Sequence, residues 1–207
     1  LLQEGVTGFQ RFRELMLIQP DIIDAPDARI IQKPRGDIEF RDVSFHYPGT
    51  SRPVLKDINL KVNPGEFVAL VGASGVGKTT LCALIPRFYE VTDGEIRLDG
   101  TPIRNITLES LRRSIGVVQQ DVYLFSGTVM ENIRYGRPDA TETEIIQAAK
   151  QAGAHEFITA LPGGYDTDIG QRGVKLSGGQ KRRVNIALEL ISTPTMLILD
   201  EPSSGLD

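Results

Sequence analysis

Over 207 residues the chain holds 40% hydrophobic residues, and 23 Lys+Arg stand against 27 Asp+Glu for a net charge of -4. That supports one sizeable core with a smaller subdomain, and basic residues scattered apart from Lys181, Arg182 and Arg183 exclude a broad nucleic-acid face. The single cysteine, Cys82 in the apolar run LCALI, excludes an internal disulfide and is expected to be a buried, reduced thiol, while no apolar run approaches the roughly 18 residues of a bilayer span, so the chain itself is expected to be soluble.

The opening LLQEGVTGFQRFRELMLIQP sets Val6, Phe9, Phe12 or Arg13, and Met16 near one helical face, and Pro20 ends the pattern. Residues 21–36 carry Pro26, Pro34 and several charges without periodicity, which predicts a linker, so the main domain is expected from Asp37. IEFRDVSFHY and VLKDINLKV then alternate as half-buried strands, separated by the turn residues PGTSRP, and are expected to pair antiparallel. By contrast FVALVG, IGVV at Ile115 and MLILD at Met196 are almost wholly apolar, which suits parallel central strands covered on both faces. Helices are expected between them, one opening at Gly77 and one along ETEIIQAAKQAGAHEFITAL. The pattern predicts an α/β sheet domain with a helical insertion.

GASGVGKTT, Gly72 to Thr80, fits G-x-x-x-x-G-K-[ST] after an apolar strand and before a helix. Glycines let backbone N–H groups wrap phosphates without an intervening side chain. Lys78 is expected on the β- and γ-phosphates and the Thr79 hydroxyl on Mg²⁺, with Ser74 and Gly75 as loop donors beside Gly72 and Gly77. MLILDEP places Asp200 and Glu201 at a strand end, where open α/β sheets bind ligands. Asp200 suits the metal shell, and Glu201 suits orienting and deprotonating a water. KLSGGQKRR, Lys175 to Arg183, offers a second anion site: Ser177, Gly178, Gly179 and Gln180 open a helix whose free N–H groups face outward. The three basic residues that follow are expected to be solvated helix-face charges.

With these motifs in this order, residues 37–207 resemble the nucleotide-binding domain of an ATP-binding cassette (ABC) transporter, whose signature is LSGGQ at Leu176 to Gln180. The resemblance implies a P-loop NTPase (RecA-like) sheet core with an antiparallel β subdomain and a helical subdomain over about 120–178. It implies ATP and Mg²⁺ as ligands, with Thr80 in the phosphate loop and Tyr47 stacking on adenine, where the plainer reading is a strand-edge tyrosine. Gln120 of VVQQDVYLF is implied as the sensor of Mg²⁺ and the attacking water. It explains the second cradle as well: in the family the signature of one subunit closes over ATP held by the phosphate loop of another. A second nucleotide-binding domain is therefore an implied partner, and no nucleic acid is.

LFSGTVMENIRYG and GVTGFQRF resemble the exporter branch, in which a membrane domain is fused to the nucleotide domain. On that reading residues 1–36 are a cytosolic helix extension and linker from the membrane domain, at the cytoplasmic face of a membrane. The other reading is an amphipathic helix packed on its own domain. TDIGQRG, Thr167 to Gly173, resembles the segment near the membrane-domain contacts, and SGLD ending at Asp207 resembles the loop that crosses the dimer interface. Asn185, Leu188 and Glu189 depart from the family pattern. The family's histidine beyond the two acids has no counterpart, and neither His46 nor His155 replaces it, so a carboxy-terminal part is expected to be missing and turnover to be slow. An ATP-gated dimerisation module with negligible turnover is the alternative function.

Overall fold

A computed structural model of the chain describes residues 2–200, with side chains from Val6 onward; Glu201 and Asp207, both singled out above, lie outside the described residues. Among the described residues no helix is long and apolar enough to cross a membrane.

Helix α1, Leu2–Met16, stops short of Pro20, and its apolar residues Val6, Phe9, Phe12 and Met16 are all exposed. Every residue of the helix from Val6 to Met16 is exposed. The stretch after it is docked, not free: the Asp24 carboxylate accepts from the Leu108 N–H at 2.7 Å, Arg29 exchanges backbone bonds with Asn105 and Thr107 at 2.8 and 3.0 Å, and the Asp99 carboxylate accepts from the N–H groups of Arg35, Gly36 and Asp37. A linker composition says that no regular element forms, and side-chain oxygens then satisfy the irregular backbone.

Strands β1 (Ile38–Phe45) and β2 (Leu55–Val62) pair antiparallel as the alternation predicts, with Ile38 opposite Val62 and Phe40 opposite Leu60. On its other edge β1 pairs with β3 (Asp93–Leu98), which carries the short β4 (Thr101–Pro102), giving the order β2-β1-β3-β4. A bulge at Asp42 brings β1 so close to Gly94 that a Cβ there would collide with the Arg41 carbonyl, and Gly94 has φ +76°, so glycine is required at that crossing. The apolar face of this sheet, with Phe40, Val43 and Ile96, shares one core with helices α2 (Lys78–Leu84) and α3 (Leu108–Arg113) and with strands β5 (Ile115–Val118) and β6 (Met196–Leu199). β5 and β6 pair parallel in register, Ile115 with Met196 through Val118 with Leu199.

FVALVG departs from expectation. It forms no strand: Phe67 is fully exposed and Val71 is 92% exposed. An apolar run signals burial, but a strand exists only where its backbone is paired. Among the described residues the parallel sheet is β5 with β6 alone, and the apolar run follows the Asn63–Glu66 turn without a ladder partner.

The helical insertion is a second core. Helices α4 (Val129–Arg134), α5 (Glu142–Gln151) and α6 (His155–Ala160) surround Ile133, Ile145 and Ile158 and receive α7 (Gly178–Leu190). The long alanine-rich pattern breaks into α5 and α6 where Gly153 turns the chain at φ +63°. Buried Asn132 holds the entrance to α4, exchanging bonds with Phe125 N–H and C=O at 2.8 and 3.0 Å and donating to Thr128 C=O at 2.9 Å.

Candidate nucleotide site

The phosphate loop ends at Gly77, which caps α2 in the left-handed region at φ 102° without any side-chain cap bond. A Cβ there would press on Leu55 at 2.8 Å, so glycine is demanded by both conformation and space. No side-chain cap therefore meets the first-turn N–H groups of α2. The Lys78 ammonium folds over the loop, donating to the carbonyls of Gly72 and Ala73 at 2.9 and 3.0 Å. This positive charge lies along the loop backbone, with Gly72, Ser74 and Gly75 exposed around it. A chain of N–H donors beside an ammonium fits a polyphosphate in donor type and charge.

Behind the loop, the Thr79 hydroxyl donates to the Asp200 carboxylate at 3.1 Å. Asp200 lies just past β6, where its N–H donates to the Val118 carbonyl at 2.9 Å, and Gln120 follows just past β5. Two parallel strands therefore deliver both residues to the same carboxyl end of the sheet. A hydroxyl and one carboxylate are hard oxygen donors, the set Mg²⁺ takes when phosphates and waters complete its shell. Among the described residues no cluster of three His, Cys, Asp or Glu that could hold a metal occurs. Cys82, in α2, is an inert neighbour: burial, and to a lesser extent the Asp200 charge, push its thiol up to about 11.

Tyr47 and Thr80 meet each other. Their hydroxyls are 2.9 Å apart, Thr80 is buried, and the Tyr47 ring packs edge-on between Phe45 and Tyr89 with centroids at 5.0 and 5.2 Å. Position within a loop motif and after a strand could not reveal this pairing.

The signature is a helix start. Ser177 and Gln180 form a reciprocal capping box on α7: the Ser177 N–H donates to Gln180 Oε1 at 2.9 Å and the Gln180 N–H to Ser177 Oγ at 3.3 Å. Gly178 and Gly179 thus open α7 with no Cβ over their N–H groups. The basic residues behind it differ from expectation. Arg182 is only 5% exposed and donates to the Gln120 carbonyl at 3.1 Å, while Arg183 lies over the Phe157 ring at 5.1 Å. Both long stems cover apolar surface while their heads find carbonyls or a ring face, a use that a run of like charges hides.

Residues 55–204 match the family described as ABC transporter. The chain belongs to the ABC transporter family. It is 54% identical over 203 residues to the ABC transporter ATP-binding protein YwjA of Bacillus subtilis (strain 168), covering 98% of this chain and 35% of that protein. It is 50% identical over 206 residues to the ATP-dependent lipid A-core flippase of Syntrophus aciditrophicus (strain SB), covering 100% of this chain and 34% of the flippase. Among solved structures, a bacterial Atm1-family ABC exporter with ATP bound superposes with a TM-score of 0.91 at 40% identity, covering 99% of this chain and 36% of that one. The chain therefore spans about a third of the length of the curated relatives it matches. Its fold is the mixed α/β fold of the family's ATP-binding domain; the solved neighbour is an ABC exporter, and a further relative from Bacillus subtilis (strain 168), 51% identical over 206 residues, is described as a putative multidrug export ATP-binding/permease protein.

Proposed function

We propose that this domain binds Mg-ATP at the Gly72–Thr80 loop, pairs head to tail with a second such domain, and in a full-length exporter drives a membrane domain through cycles of ATP binding and hydrolysis. The observation that carries the reading is the Thr79–Asp200 contact, which joins the phosphate loop to the end of β6. Lys78 would leave the loop carbonyls and take the β- and γ-phosphates, exchanging two neutral acceptors for charged ones. Thr79 and Asp200 would hold Mg²⁺, which when bound neutralises charge on the phosphate oxygens. Gln120 would fix the attacking water and Glu201 would accept its proton. Tyr47 would meet the adenine.

Ser177, Gly178, Gly179 and Gln180 present helix-start donors while the other loop serves the chain's own nucleotide, so they would close on the partner's ATP. Relatives whose names join ATP-binding to permease, and the ATP-bound exporter, support a membrane-domain partner and a place at the cytoplasmic face. Equilibrium binding of a labelled ATP analogue with Mg²⁺ tests the first step. Lys78→Ala should weaken it about 10- to 100-fold, the effect of losing charge-assisted bonds, and an unchanged affinity removes the assignment.

The second reading is a module that ATP pairs but hardly turns over. The exposed Phe67–Val71 segment favours it, because a loop not braced by a strand places its phosphate donors less firmly. Single-turnover phosphate release decides between them, with Glu201→Gln as the control that should suppress release while keeping ATP-bound pairs.

A further inference from the structure

Arg182 belongs to the helix that starts at the signature, yet its side chain reaches the other motif. It is 5% exposed, and its guanidinium donates at 3.1 Å to the backbone carbonyl of Gln120, 62 residues earlier. A guanidinium this far from water is costly unless its N–H groups are bonded, so its position is set by acceptors and not by solvent. Two turns further along the same face of α7, the Glu189 carboxylate accepts from the Val117 N–H at 3.3 Å. Val117 lies within β5, and Gln120 lies just beyond its end. Glu189 is among the departures from the family pattern.

The two ties have a common consequence. Ser177 caps α7 between one and two turns before Arg182, so the helix that aims the signature loop is fastened to β5 through Glu189 and to the segment just past β5 through Arg182. β5 in turn is in register with β6, and the Asp200 N–H donates to Val118. A rigid path of hydrogen bonds and packed elements therefore runs from Asp200 through β5 to Ser177. We propose that Arg182 and Glu189 are positioning residues: together they clamp α7 onto β5, so that nucleotide bound near Asp200 and Gln120 resets the signature loop that serves the partner's nucleotide. The proposal rests on the ATP-binding reading above. Because coupling between sites is reciprocal, engagement of the signature would tighten ATP on the chain's own loop by the same factor.

The chain has no tryptophan, so a single indole placed at Val174, 72% exposed and one turn before Ser177, reports on the signature side. Val174→Trp is titrated with Mg-ATP in parallel with binding of a labelled ATP analogue. A change in indole emission that saturates with ATP is expected. Adding Arg182→Met, which keeps the apolar stem and removes the donors, should abolish most of that change while leaving ATP affinity within about threefold. Arg182→Lys, which keeps a donor, should retain it. If Arg182→Met fails to fold by circular dichroism, Glu189→Leu carries the same expectation for the second tie. Full emission change in the folded Met or Leu variant overturns the clamp, as does an ATP-binding Val174→Trp chain whose emission never changes. Failure of the Val174→Trp chain to bind ATP at all is a different result: it overturns the ATP-binding reading and the clamp with it.

Discussion

The Thr79 hydroxyl donates to the Asp200 carboxylate at 3.1 Å across 121 residues of sequence. On the proposed reading, that contact makes a specific prediction about Mg²⁺. Asp200→Asn keeps an oxygen that can accept from Thr79, so the fold around α2 and β6 should survive, but it removes the negative charge. Binding of a labelled ATP analogue should then lose its enhancement by Mg²⁺, by at least about tenfold, while affinity measured in EDTA stays near that of the parent chain. Equal Mg²⁺ enhancement in both proteins would place the metal elsewhere.

Tyr47 has two separable jobs, one visible and one proposed. Its hydroxyl lies 2.9 Å from Thr80 Oγ1, and its ring is held by Phe45 and Tyr89. Tyr47→Phe should cost about 1 kcal/mol of stability in urea denaturation through the lost hydrogen bond, with ATP affinity unchanged because the ring remains. Tyr47→Ala should also weaken ATP binding. A Phe variant that loses ATP affinity would mean the hydroxyl, and not the ring, serves the nucleotide.

Ser177 caps α7 and also heads the proposed trans site. Ser177→Ala removes one half of the capping box and should cost about 1 kcal/mol by chemical denaturation, while Ser177→Asn should retain most of the cap. For pairing, Ser177→Arg should leave ATP affinity of the monomer intact and abolish ATP-dependent dimers in sedimentation. Loss of monomer binding would place Ser177 in the chain's own site instead.

Motifs with fixed spacing were the most legible part of the chain, because the physics they encode is local. G-x-x-x-x-G-K-T needs only a glycine turn feeding a helix, and Gly77 caps α2 as that requires. The alternating strands Ile38–Phe45 and Leu55–Val62 and the parallel pair β5 and β6 were equally legible. What failed depends on partners far away in sequence. Phe67–Val71 has the composition of a buried strand and lacks the ladder that would make it one. Arg182 sits in a run of three basic residues, and only the folded chain shows that α7 turns this one toward Gln120. Composition marks residues 21–36 as irregular but does not reveal that the Asp24 and Asp99 carboxylates tie this stretch to the domain.

Glu144 gives the helical insertion a pH dependence whose sign can be worked out. Its carboxylate accepts from the Thr141 N–H and hydroxyl, each at 2.8 Å, and pairs with Arg137. These contacts, the bonds from Thr141 first, pull its pKa down to about 2. An unfolded glutamate titrates near ~4.3, so the folded state prefers the charged form. Its contribution is therefore complete above ~4.3 and is lost as pH falls from there through about 2. The group is exposed, so salt should shrink the effect. Glu144→Gln can still reach back to the Thr141 N–H, but it has no charge to lose. Other carboxylates titrate over the same window in both proteins, so the informative quantity is the difference between them. The urea midpoint of the parent should exceed that of the variant at about pH 6 and converge with it by about pH 2. A gap that stays constant across the window would mean that the capping oxygen, and not its charge, holds the start of α5.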